Sequence, residues 1–253
     1  MIEPVLVTRP SGQAAELCRD FERYGIPSVA VPTVAIDRLS TAENLDRMID
    51  DGLDDAAWLV VTSSNGAAAL ADRLAAGNRR LPPGTRLAAV GPSTADALRA
   101  AGLEVHHIPE EYLTVAIAEG LGDVEGKLVV LARADAATPQ LRDALLARRA
   151  RVSEVVAYRT VEGPPASRDD LNLALHRDLA GVAFTSSSTV QGLLRLASPT
   201  GRQRARAIPA FCIGPVTAYT ARRSGFDVEV VAAEHTSAGL AAAVATHLHL
   251  GDQ

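Results

Sequence analysis

Four short runs of hydroxyl-bearing residues are the parts of this 253-residue sequence best suited to chemistry. Thr62-Ser63-Ser64-Asn65-Gly66 and Thr185-Ser186-Ser187-Ser188-Thr189 each follow an apolar run, as do Gly91-Pro92-Ser93-Thr94-Ala95 and Gly214-Pro215-Val216-Thr217-Ala218. Where a strand turns into a helix, unpaired backbone N–H groups and nearby hydroxyls can cradle carboxylates or phosphates. The same residues also cap helices with no ligand at all, Ser93 with Asp96 being a plausible capping box. Both readings stand, even with four copies. The Gly-Pro pairs ask for a sharply turning backbone with proline in the first helical turn.

Arg9 and Arg133 each follow an apolar run, so each is a cation at a strand end that either meets an anion or lies on the surface. His106 and His107 read as surface or packing residues. No Ser/His/Asp set, Gly-x-Ser-x-Gly, Gly-x-Gly-x-x-Gly or phosphate-binding P-loop is legible, so no nucleotide cofactor is expected. Cys18 and Cys212 are the two cysteines, with no Cys-x-x-Cys and no His-x-x-x-His pair. That pattern fits a reducing, cytoplasmic compartment and a metal-free chain.

With Lys+Arg 25 against Asp+Glu 30 the net charge is −5, which leaves no global basic field for nucleic acid or an anionic membrane. The N-terminus lacks the basic and apolar regions of an export signal, and the Ala-rich stretch 237–250 is too short and polar to span a bilayer. Neither nucleic acid nor membrane is expected as a partner.

The elements that must position these residues are short apolar runs alternating with Ala/Leu/Arg segments of helical period. The pattern predicts an α/β fold with doubly wound parallel sheet, covered on both faces. An internal repeat stands out: Thr62-Ser63-Ser64 recurs as Thr185-Ser186-Ser187, and Gly91-Pro92 as Gly214-Pro215, in each case 123 positions on. Gly102 and Gly225 keep that spacing and mark helix ends. Arg9 corresponds to Arg133 with a small shift of register. The chain is expected to be a duplicated α/β unit, two small domains leaving a cleft, with 32–36 and 157–161 as extended connecting segments.

Taken in order, Leu6-Val7-Thr8-Arg9-Pro10, Val61-Thr62-Ser63-Ser64-Asn65-Gly66, Val90-Gly91-Pro92-Ser93-Thr94-Ala95, Ala157-Tyr158-Arg159-Thr160, Phe184-Thr185-Ser186-Ser187 and Ile213-Gly214-Pro215-Val216-Thr217-Ala218 resemble the uroporphyrinogen-III synthase family. The resemblance implies two similar α/β domains on a two-stranded hinge linker: 1–33 with 162–253, an inserted 38–157, and linker segments 34–37 and 158–161. It implies closure of hydroxymethylbilane to uroporphyrinogen III with inversion of ring D, without cofactor or metal. Tyr158 matches the family's tyrosine near the linker, where a phenol would meet the departing hydroxyl; a buried aromatic tethering the hinge is the equal alternative. Thr217 matches the threonine of the Gly-Pro loop and is read with Tyr158 as catalytic. Arg9, Thr62, Ser63, Ser64, Ser93, Thr94, Arg133, Thr185, Ser186, Ser187 and Gly214 are read as binding the substrate. Where some relatives carry a second threonine after Gly-Pro, this chain has Val216.

A polycarboxylate substrate and a chain of net charge −5 repel at long range, though salt screens this beyond about 8 Å. Hydroxyls and helix N-termini would therefore do the binding, and the closure is an orientation problem first. The expected form is a cytoplasmic monomer, meeting its small-molecule substrate and, transiently, the preceding enzyme of the pathway. A non-catalytic sensing or binding module of the same fold is the alternative. A sugar-phosphate isomerase is a further rival, but it calls for a carboxylate or histidine base near the loops that is not legible.

Overall fold

The structure, a computed structural model, describes residues 2–109 and 114–250. In chain order the first elements are β1 (Val5–Val7), α1 (Ser11–Glu22), β2 (Ser28–Ala30), β3 (Val34–Asp37), α2 (Ala42–Arg47), β4 (Ala56–Val61), α3 (Ser64–Ala76), β5 (Arg86–Ala89), α4 (Pro92–Ala100) and α5 (Thr114–Gly120). There follow β6 (Leu128–Ala134), α6 (Gln140–Ala147), β7 (Arg151–Glu162), α7 (Arg168–Ala174), β8 (Gly181–Phe184), α8 (Ser187–Leu196), α9 (Pro199–Arg206), β9 (Ala210–Cys212), α10 (Pro215–Arg223), β10 (Val228–Val231) and α11 (Ser237–Leu250). The chain divides into two compact units, Met1–Ala35 with Val161–Gln253, and Ile36–Thr160.

The first unit holds the sheet β10-β9-β8-β1-β2, parallel throughout. Its strands are too short to bury a face alone, and alternation along them feeds two cores. Leu6, Val182, Phe184 and Cys212 face α7, α8, α9 and α10, whereas Val5, Val7, Ala183 and Phe211 face α1 and α11. Connections leave β1 and β8 in opposite directions, so the gap between them is the switch point where doubly wound sheets bind ligands.

The second unit holds the sheet β3-β7-β6-β4-β5, with β5, β4, β6 and β7 parallel. Leu59, Val61, Leu87, Val130 and Ala132 face α2, α3 and α4. Trp58, Val60, Ala88, Val129 and Leu131 face α5 and α6. Here the switch point lies between β4 and β6. The expected connecting segment 158–161 is a continuous part of β7.

The repeat spacing of 123 equates β4 with β8 and β5 with β9, so β6 and β7 correspond to β1 and β2. The two units are circular permutations of one topology. At the position of β10 the second unit keeps, among the described residues, one isolated parallel bridge, Ala88 to His107. Gly102 and Gly225 both adopt positive φ, 76° and 87°, at the ends of α4 and α10, where a side chain would be strained.

Candidate functional site

The carboxyl edge of the second unit is built by α3 and β7. Ser63 is the N-cap of α3, and its Oγ accepts the Gly66 N–H at 3.1 Å. The same Oγ donates to the phenol oxygen of Tyr158 at 3.1 Å. Tyr158 reaches it because β7 carries a bulge. Arg133 pairs with Val156 but the next residue, Ala134, pairs with Tyr158, so Ala157 is an extra residue in the ladder. Strict alternation would put Tyr158 on the face of Val152, toward α5 and α6; the bulge turns it onto the α3 face, where it packs with Ala157 and Val155. Thr41 Oγ1 donates to the bulge carbonyl of Ala157 at 2.8 Å, which satisfies that group in the buried interior. Tyr158 is only 7% exposed.

Around this pair, Thr62 and Ser64 are half-buried and their hydroxyls have no hydrogen-bond partner among the described residues. At α4 the N-cap is Gly91, with Pro92 in the first turn and no side-chain cap, so Ser93 is exposed in the first turn and the expected Ser93/Asp96 capping box does not form. Thr94 in that turn is buried, its hydroxyl likewise unpartnered among the described residues.

The first unit repeats the arrangement with different use of its hydroxyls. Ser186, the counterpart of Ser63, caps α8 in a capping box with Thr189 and bonds Ser188 Oγ at 2.8 Å. Ser187 Oγ lies 2.7 Å from Thr220 Oγ1, tying α8 to α10. Thr185 is half-buried, and Thr217 is 5% exposed; neither hydroxyl has a partner among the described residues. Beside them Val216 is 74% exposed, an apolar side chain held at the edge where the second threonine of some relatives would stand.

Both arginines project away from these hydroxyls. Arg9 lies on the α1/α11 face, where its guanidinium donates to Ser237 Oγ and to Gln13 Oε1 and pairs with Glu16 at 3.6 Å. Its Nε is buried without a partner among the described residues, and desolvation lowers its pKa below the usual arginine value. Arg133 lies on the face of α5 and α6, paired with Glu154 at 2.6 Å. The strand ends do carry the expected cations, but each has a partner inside its own unit.

One edge residue escaped the sequence reading. The His235 ring lies against Gly214, where an added Cβ would sit 2.9 Å from Cδ2. Gly214 itself is extended at φ −178°, so the close ring, not the backbone angle, favours glycine there. Nothing in residue type or spacing singles His235 out; it belongs to a connection between β10 and α11. His107 packs edge-on against Trp58 at 6.4 Å between ring centres, and burial lowers its pKa, which suits a neutral packing residue.

Among the described residues no three His, Cys, Asp or Glu side chains converge as a metal site, and no helix is long and apolar enough to cross a membrane. Hydroxyls, helix N-terminal amides and one oriented phenol define a duplicated, doubly wound α/β enzyme suited to a polar small molecule. A sequence model described as uroporphyrinogen-III synthase HemD matches residues 15–242. The uroporphyrinogen-III synthase of Synechococcus elongatus is 32% identical over 250 residues, covering 95% of this chain and 93% of the relative. Among solved structures, a mutant uroporphyrinogen III synthase from the extremely thermophilic bacterium Thermus thermophilus superposes with a TM-score of 0.65 at 21% identity, covering 97% of this chain and 99% of the other. The enzyme from Helicobacter pylori 26695 gives 0.60 at 13% identity, with 100% of both chains covered. The chain belongs to the uroporphyrinogen-III synthase family, whose enzymes serve porphyrin biosynthesis.

Proposed function

We propose that this chain closes hydroxymethylbilane to uroporphyrinogen III, releasing water and inverting ring D, with Tyr158 as the proton donor to the departing hydroxyl. The observation that carries the assignment is the Tyr158 phenol, on a residue only 7% exposed and held by Ser63 beside the N-terminus of α3. Protonation lets the terminal hydroxyl leave as water and generates an electrophilic azafulvene. The substituted carbon of ring D then attacks, and the spirocyclic product fragments and recloses to the type III isomer. Linear bilane closes by itself to the type I isomer, so the protein must hold the chain in the less accessible geometry until ring D reacts.

Thr62, Ser64, Thr94, Thr185 and Thr217 offer unpartnered hydroxyls, and the N-termini of α3, α4, α8 and α10 offer amide donors, for the substrate's carboxylates. This suits a chain of net charge −5, in which Arg9 and Arg133 are already paired. The same reading makes the protein a cytoplasmic monomer that takes its bilane from solution or from the preceding enzyme.

The test supplies freshly made hydroxymethylbilane to the purified, metal-stripped protein and resolves the oxidised products into type I and type III isomers. A type III excess that falls at least about tenfold in Tyr158→Phe is expected. Type I alone, at the rate of the blank, overturns the reaction and favours a non-catalytic binding role.

A further inference from the structure

We propose that Ser63 is a positioning residue that makes Tyr158 a proton donor and not a proton acceptor toward the substrate, a role that rests on the reaction proposed above. A serine hydroxyl has one proton and two lone pairs. One lone pair of Ser63 Oγ takes the Gly66 N–H at 3.1 Å, which fixes the hydroxyl at the helix terminus, and its proton goes to the Tyr158 oxygen at 3.1 Å. A phenol O–H prefers the plane of its ring, which offers two directions. With Ser63 donating to the Tyr158 oxygen, the phenol's own proton is left for another acceptor.

Three features hold this polarity. The α3 terminus supplies an N–H that takes one lone pair of Ser63 Oγ and fixes the hydroxyl beside the phenol, toward which it donates. The bulge at Ala157 and the bond from Thr41 to its carbonyl set the ring on the α3 face. The Tyr158 phenol has no second hydrogen-bond partner among the described residues, so its proton remains available. Ser186 shares the helix-terminal N–H, here from Thr189, but its oxygen bonds Ser188 Oγ in place of a phenol among the described residues. The duplicated serines have therefore diverged, and the acid side of the reaction belongs to the second unit.

Ser63→Gly separates this role from helix capping, because glycine at an N-cap costs a helix little yet has no hydroxyl to donate. Ser63→Thr keeps both functions, and the extended backbone at φ −159° accepts a β-branched side chain. The expected result is a fall in kcat of about tenfold to a hundredfold for Ser63→Gly, with KM within about threefold of the parent and a nearly unchanged melting temperature. Ser63→Thr should restore kcat to within about threefold, and Ser63→Gly should add nothing in a Tyr158→Phe background.

An unchanged kcat in Ser63→Gly overturns the proposal, as does an equal loss with and without the Tyr158 hydroxyl. Isotope labelling at tyrosine Cζ reads the hydrogen bond directly: the Tyr158 signal, assigned by its disappearance in Tyr158→Phe, should shift in Ser63→Gly and return in Ser63→Thr. A parent that makes no type III isomer while showing this shift would overturn the reaction and leave the hydrogen bond standing.

Discussion

Across neighbouring strands of the second unit, the guanidinium of Arg133 meets the carboxylate of Glu154 at 2.6 Å while its side chain is only 8% exposed. The pair sits on one face because Arg133 opposes Val156 and Leu131 opposes Glu154, a diagonal step along β6 and β7. Glu154→Gln leaves a nearly buried cation without its counter-charge. Since Glu154 is 35% exposed, solvent offsets part of that loss, and a destabilisation of about 1–3 kcal/mol is expected. A thermal scan should show it as a lowered Tm, with KM for the bilane unchanged. If Arg133 bound substrate, freeing it would lower KM instead.

Thr217→Val tests a buried hydroxyl that no protein group among the described residues engages. Because no internal hydrogen bond is lost, stability should stay within about 1 kcal/mol of the parent. If the hydroxyl meets a substrate carboxylate, kcat/KM should fall roughly tenfold, the scale of one polar contact. Thr94→Val, at the matching position of the other unit, gives the comparison; unchanged kinetics in both variants would remove the two threonines from the binding set.

Gly192→Ala sets two effects against each other within α8. Alanine gains about 1 kcal/mol in helix propensity. Its Cβ, however, would stand 1.9 Å from the Thr33 carbonyl oxygen and 3.2 Å from the Gly163 nitrogen, both backbone atoms that also bond to one another at 2.8 Å. Overpacking costs about 1–3 kcal/mol or more, so the clash wins and a lower denaturation midpoint is expected in a urea titration.

Cys212 is fully buried on β9, and desolvation raises its thiol pKa from 9.0 to about 11. Native protein at mildly alkaline pH should therefore alkylate at Cys212 only after unfolding, which mass spectrometry with and without denaturant reads directly. The folded thiol holds its proton where the unfolded one has lost it. Its contribution to stability is thus complete below pH 9 and declines between pH 9 and about 11, by up to about 1.4 kcal/mol per pH unit. Cys212→Ala should lose that part of the alkaline slope; an identical slope in the variant would assign it to other groups.

Much of this protein was legible in residue order. Alternating apolar runs and helical segments define parallel α/β architecture, because parallel strands need crossover connections, usually helices. Gly-Pro and Thr-Ser-Ser runs at strand ends locate helix N-termini, since proline and small hydroxyl residues suit the first turn. The repeat at 123 reveals the duplication. Its permuted form, with β4 and β5 standing for β8 and β9, comes from strand order, which depends on which distant strands pair.

Side-chain direction at the edge was decided by tertiary structure alone. Arg9 and Arg133 were legible as cations at strand ends, but the face each occupies follows from strand parity within a particular sheet, and that face supplied intrachain partners. Tyr158 was legible as a candidate phenol, yet a period of two would have turned it away from α3. One extra residue at Ala157 reverses that direction, and whether a ladder absorbs such a residue depends on the register of β6 against β7 and on Thr41 reaching the freed carbonyl. Sequence by itself determined which groups this protein has for chemistry; pairing between segments far apart in the chain decided which of them face one another.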